Sequence, residues 1–229
     1  MSPFLRLLEN EVQIVALLFL GIVYVFRILW ILRFRPLRER TRPAGNERKG
    51  ITYSLLNIAM PWSMEVVRKK PGFYVQFVLF HLGVAAAIAA TFIIPYGPGV
   101  FRSRAIVLIF QAVIGAALVV GLMRLYRRLE NPVVRRVSTP DDYFSLLLMI
   151  VYFAAAILAV PNRFAEAEWP LILFFILTAF FLIYVPFSKI SHYLYYPFAR
   201  YLLGKTLGHR GVLPAKKAKQ ESVLGPPEK

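Results

Sequence analysis

The chain has 229 residues, 58% hydrophobic and 17% charged, with a mean hydropathy of +0.58, which excludes an ordinary water-soluble domain. Its net charge is +16, from 28 Lys+Arg against 12 Asp+Glu. It has no Cys and three His, so a disulfide scaffold, a thiolate nucleophile and a Cys-ligated zinc or iron–sulfur centre are excluded. Any metal or redox chemistry must rest on those histidines or on carboxylates.

Taken in chain order, the apolar residues gather into five runs, 12–32, 73–95, 105–126, 143–160 and 170–187. Each matches the roughly 17–25 residues that a helix needs to cross the hydrocarbon core. The first run is too long for the apolar stretch of a secretory signal, and no small-residue cleavage site follows it. None shows the two-residue alternation of a membrane barrel. The expected fold is an all-α membrane protein, a bundle of five transmembrane helices.

Basic residues mark cytoplasmic loops. Residues 33–70 carry ten Lys/Arg, 124–142 carry five and 189–229 carry eight, so three alternate segments hold 23 of the 28. The opposite side has Arg6, Arg102, Arg104 and Arg163, with Arg27 near the inner end of the first run. This places the N-terminus outside and the C-terminus in the cytoplasm. Because the charges flank spans, they read as topology and not as a nucleic-acid surface.

Two cytoplasmic segments carry further signals. Residues 51–67 (ITYSLLNIAMPWSMEVV) are apolar enough to lie along the interface, with Pro61 breaking the segment and Trp62 suited to headgroup depth. The stretch KISHYLYYPFARYLLGK continues the fifth helix, and AKKAKQESVLGPPEK beyond it is a polar, disordered tail. A membrane domain over 1–203 and a basic tail over 204–229 are therefore expected. No phosphate-binding loop, dinucleotide fingerprint, Ser–His–Asp set or His/carboxylate metal cluster is visible.

His81 lies eleven residues past Lys70, about 16 Å of helix rise, and His192 eight residues before Arg200, about 12 Å. The second and fifth helices run in opposite directions, so both imidazoles fall at similar depth near the cytoplasmic face. Two imidazoles facing across a bundle suit axial ligation of a haem iron. Each has a plainer reading, His81 as an interhelical hydrogen-bonding group and His192 as an interfacial residue among tyrosines. His209, flanked by glycine, reads as a solvated loop residue. Gly83, Ala85, Ala86, Ala87, Ala89 and Ala90 thin the second helix for a planar group or a neighbouring helix. Gln111 is placed to bond another helix or to touch a quinone.

The motif FxxFHLG around His81, GLMRLYRRLENPVVRRVSTPDDYFSLLL over 121–148 and PFSKISHYLYYP over 186–197 resemble the respiratory nitrate reductase gamma-subunit family. That family extends to the cytochrome b subunits of heterodisulfide-reductase-like and sulfate-reducer electron-transfer complexes. The resemblance covers about 70–200. It implies that His81 and His192 ligate the haem b nearer the cytoplasm. The family's second histidine pair falls at Thr91 and near Phe174, which cannot ligate iron, so one haem is expected. Arg124, Arg127, Arg128 and Lys189 would neutralise its propionates, or serve only as positive-inside charges.

The function implied is a membrane cytochrome b subunit of a respiratory oxidoreductase complex, in the inner membrane of a prokaryote. It would pass electrons between the quinone pool and a cytoplasmic-side iron–sulfur subunit, while its basic loops meet that partner or anionic lipids. The alternatives are a haem-free membrane anchor for a redox subunit and a small transporter. Against transport stands the near absence of charge inside the spans.

Overall fold

The computed structural model describes residues 1–34, 39–60, 62 and 65–214. Among them no residue lies in a β-strand. In chain order the helices are α1 (Pro3–Arg33), α2 (Glu47–Leu56), α3 (Glu65–Lys69), α4 (Pro71–Tyr96), α5 (Arg104–Glu130), α6 (Pro132–Val137), α7 (Pro140–Ala159), α8 (Trp169–Tyr184) and α9 (His192–His209). Five helices are long and apolar enough to cross a membrane: α1, α4, α5, α7 and α8, the last counted to Phe187. The protein is therefore an all-α, multi-pass membrane protein with five spans. The chain divides into two compact units, Met1–Phe34 with Lys69–His192, and Arg35–Arg68 with Tyr193–Lys229.

Helix boundaries in the first unit follow local chemistry. Ser2 caps α1 by accepting from the Leu5 amide, and Pro3 at the first helical position lacks the N–H that would be orphaned there. This start is nine residues ahead of the apolar run, because Glu9, Asn10 and Glu11 interrupt the hydropathy without interrupting the helix. They lie in a wide π-type turn, Leu8–Val12. Asn131 accepts from the amides of Val133 and Val134 to start α6, and Thr139 with Asp142 forms a reciprocal capping box at the head of α7.

The spans pack in the order α4, α5, α7, α8, α1, with α4 also reaching α7. Gly83 on α4 sits against the Ala117 side chain and the Val113 carbonyl of α5, leaving no room for a Cβ. Ala87, Ala90 and Ala117 are fully buried. The small residues of α4 thus admit a neighbouring helix, as close-packed membrane seams do. Gln111 donates from Nε2 to the Ile157 carbonyl at 3.0 Å, tying α5 to α7. Gln13 ties α1 to α8 by donating to the Phe175 carbonyl at 2.8 Å.

The fifth helix does not run on through the tyrosine-rich stretch, contrary to the sequence expectation. It stops at Tyr184, passes through 3-10 turns at Val185–Phe187 and Lys189–Ser191, and restarts at His192. Pro186 has no N–H to donate, and Ser188 is extended, with φ −105° and ψ 170°, its side chain accepting from the Ile190 amide. His192 is accordingly the first residue of a new helix, not the last of a span.

In the second unit α2 and α9 meet through glycine. A Cβ on Gly50 would lie 2.5 Å from the Gly208 Cα, and one on Gly204 would lie 2.6 Å from the Ile51 Cα. Arg200 donates to the Ser54 carbonyl at 2.8 Å, and Arg210 to Glu39 at 2.8 Å. Residues 204–209 therefore belong to a packed helix. Trp62 is exposed. The break expected at Pro61 and the tail expected over 215–229 lie outside the described residues.

His209 differs from its sequence reading as a solvated loop residue. It ends α9 with only 11% of its side chain exposed, its Nδ1 3.1 Å from Glu47 Oε1 and its Nε2 2.8 Å from the Thr41 carbonyl. Its backbone carbonyl accepts from the amides of Ala44 and Gly45. Gly208 permits this burial by letting the chain around Asn46 and Glu47 come close.

Candidate functional site

His81 projects from α4, where its Nδ1 lies 2.7 Å from the Phe77 carbonyl one turn earlier. A carbonyl can only accept, so Nδ1 carries the proton and Nε2 the lone pair. His192 repeats the arrangement at the start of α9, its Nδ1 donating to the Lys189 carbonyl at 3.1 Å. A metal-ligating imidazole commonly donates its other ring N–H to such a carbonyl, which fixes this tautomer.

The structure brings the two rings together. Their centroids are 6.3 Å apart and their planes cross at 88°. With metal–nitrogen bonds of about 2 Å and each nitrogen about 1.2 Å from its ring centre, trans imidazoles stand about 6.4 Å apart, centroid to centroid. Both residues are exposed on the protein surface. Phe77 packs on the His81 ring at 4.2 Å, and Phe80 stands edge-on to it at 6.1 Å.

The four basic candidates divide by what they touch. Arg124 lies over the ring of Phe80 at 5.2 Å, the same phenyl group that stands edge-on to His81. Arg127 lies over Phe73 at 4.6 Å. Arg128 donates to Ser138 Oγ at 2.6 Å, which in turn donates to the Val134 carbonyl. Lys189 donates to Thr139 Oγ1 at 2.8 Å and to Asp142 Oδ2 at 3.0 Å. Thus Arg128 and Lys189 have polar partners at the α6–α7 corner and the head of α7.

At the level where the resembled family has its second histidine pair, the interior is filled. Thr91, Tyr152 and Phe174 are all buried, and Tyr152 stacks on Phe174 with centroids 5.4 Å apart. Thr91 donates to the Ala87 carbonyl at 3.1 Å and lies 3.4 Å from the Tyr152 hydroxyl. Among the described residues, no group of three or more His or carboxylate side chains is placed to hold a metal ion.

Phe77 and Phe80 stand in the FxxFHLG motif, and Thr139 and Asp142 in the 121–148 motif, but the motifs assigned none of the four a role of its own at the site. For the last two a signal was present: Thr-Pro-Asp-Asp at 139–142 is a helix-start signature. For the phenylalanines the motif marked the positions, while their packing on the His81 ring could not be read from it. No protein-family model matches the chain, and no curated protein matches it in sequence.

Proposed function

We propose that the chain is a membrane cytochrome b subunit holding one bis-histidine haem b between His81 and His192. The observation that carries this reading is the pair itself. Two imidazoles from helices far apart in sequence have ring centroids 6.3 Å apart, and each donates its Nδ1 proton to a backbone carbonyl, the tautomer that ligates through Nε2. The packed layer of Thr91, Tyr152 and Phe174 supports a single haem, because it fills the space of a second. Phe77 and Phe80 would flank the porphyrin, and Arg124 would compensate a propionate.

The haem, when bound, supplies a one-electron carrier at the cytoplasmic side. The chain's own residues ligate it, orient it and set the dielectric around it. With no Cys in the chain, the other redox party is an iron–sulfur subunit, of heterodisulfide-reductase-like or ferredoxin-like type. Each quinone–quinol interconversion exchanges two electrons and two protons, so two one-electron transfers with that partner balance it. The N-terminus is outside, the C-terminus is cytoplasmic and the membrane is the inner membrane of a prokaryote. The basic cytoplasmic segments support this orientation.

The test is a reduced-minus-oxidised visible spectrum with a haem-to-protein ratio on the purified chain. The expected result is about one haem b per chain, lost in both His81→Ala and His192→Ala. Membrane-inserted wild type without haem overturns the cytochrome reading in favour of a haem-free anchor. Two haems per chain overturn the single site.

A further inference from the structure

Lys189 was expected among the propionate-binding cations, but its surroundings give it a different task. Its ammonium is held by two oxygens at the head of α7, Thr139 Oγ1 at 2.8 Å and Asp142 Oδ2 at 3.0 Å. That same Asp142 oxygen accepts from the Thr139 amide at 2.8 Å and from the Thr139 hydroxyl at 2.9 Å. The capping box thus holds the acceptor oxygen by bonds of its own, independent of the lysine. The other end of Lys189 is its carbonyl, which accepts the His192 Nδ1 proton at 3.1 Å.

The turn between these two ends is short and internally bonded. Ser188 Oγ accepts from the Ile190 amide at 3.2 Å, and Ser191 Oγ donates to the Ser188 carbonyl at 2.7 Å. Ser188 and Ser191 are buried. This turn replaces the helical ladder that Pro186 interrupts, and within it the Lys189 carbonyl accepts from the His192 amide as well as from its ring. Those bonds all lie within the turn; the Lys189 side chain is the one that ties Lys189 to the head of another span.

We infer that Lys189 is a positioning residue, whose ammonium, clamped by Thr139 and Asp142, holds the turn whose carbonyl fixes the His192 ring in the Nδ1–H tautomer. The clamp stands on geometry alone; that it positions a haem ligand rests on the proposed function. The Lys189 side chain is half exposed while Asp142 is largely covered. The pair therefore acts less through its charge, which water screens, than by supplying two directed hydrogen bonds.

The test separates the clamp from direct contact with a propionate, and from failure of the haem reading. The haem-free chain, labelled with 15N-histidine, is compared by NMR with Lys189→Met, Asp142→Asn and Lys189→Arg, the His192 signals being assigned by their loss in His192→Gln. The expected result is an Nδ1–H signature at His192 in wild type and Lys189→Arg. Lys189→Met and Asp142→Asn should both shift it toward Nε2–H. Lys189→Met leaves the capping box of α7 intact, and circular dichroism of each variant checks that the helices remain. An Nε2–H signature in wild type, or an unchanged one in Lys189→Met, overturns the clamp.

In the haem-loaded chain, Lys189→Met and Asp142→Asn should each lower haem occupancy several-fold and introduce a high-spin fraction, and the double variant should be no worse than either. Full, low-spin haem in Asp142→Asn beside loss in Lys189→Met would assign Lys189 to a propionate and overturn the clamp. Wild type without haem would overturn the cytochrome proposal, and the tautomer measurement would then decide the clamp by itself.

Discussion

Both ring nitrogens of His209 face oxygens that can only accept, the Thr41 carbonyl and the Glu47 carboxylate. An imidazole can donate from both nitrogens only as the cation. The Thr41 carbonyl first, and Glu47 with it, accordingly hold the His209 pKa above its ordinary value. A group whose folded pKa is raised stabilises fully below its unfolded pKa, and that stability is lost as pH rises through the folded value. Glu39 behaves oppositely: its bond with Arg210 lowers its pKa, so its contribution disappears as pH falls through that lowered value. Residues 39–47 are therefore held best between the two titrations. Hydrogen exchange at the Ala44 and Gly45 amides, which donate to the His209 carbonyl, should speed up in wild type as pH rises through the raised His209 value. His209→Asn should exchange faster throughout and lose that dependence; a wild-type rate that follows only base catalysis would refute it.

Single residues were unevenly legible. His81 and His192 stood out because a titratable ring in an apolar run must find a partner. The partner of Lys189 could not be read, because a flexible cation accepts whichever oxygen the fold presents. That oxygen lies forty-seven residues away on another helix. The same holds for His209, whose acceptors come from a segment more than 160 residues earlier.

Among the helices, the spans could be recognised from apolar length alone, and proline, asparagine and threonine marked several of their ends. The break after α8 was also written, in Pro186 and Ser188, but the apolar and aromatic residues on both sides suggested continuity. The α2–α9 pair had a fainter mark, the spacing Gly204-x-x-x-Gly208, which permits close helix approach. Its counterpart Gly50 lies in a polar segment with no spacing signal of its own.

The consequence of that seam is direct. Gly50→Ala would drive a methyl group into the Gly204 carbonyl and the Gly208 Cα, and backbone cannot rotate aside as a side chain can. The expected cost is at least the ~1–3 kcal/mol typical of an overfilled interior. It should appear as early protease cleavage in residues 39–60 while the spans stay protected. Gly115→Ala, where nothing lies within 4 Å, is the control and should leave the pattern unchanged. Equal cleavage in the two variants would show that α2 and α9 do not depend on this contact.

For the molecule as a whole, the absence of cysteine is an experimental convenience. Single introduced cysteines report their side of the membrane without background. Ser103→Cys should react with an impermeant maleimide from outside intact cells, and Lys205→Cys only after the membrane is opened. The reverse pattern would invert the proposed orientation and set the histidine pair at the outer face. The basic segments argue for the first outcome, since 23 of 28 cationic residues fall on alternate connections.

In the proposed cytochrome, the layer formed by Thr91, Tyr152 and Phe174 would act as an insulator. Ten residues of α4 separate His81 from Thr91, about 15 Å of rise, and the space beside them is closed by stacked rings and a methyl-bearing hydroxyl. Among the described residues, none of the three that form this layer is a histidine or a carboxylate that could offer a stepping point. A charge arriving at the His81–His192 pair from the cytoplasmic leaflet would cross little of the transmembrane field. The proposed cytochrome would then be an electroneutral coupler, and the reduction level of its haem in sealed vesicles should stay constant when a potassium-diffusion potential is imposed. A level that followed the potential would mean that the aromatic layer leaks.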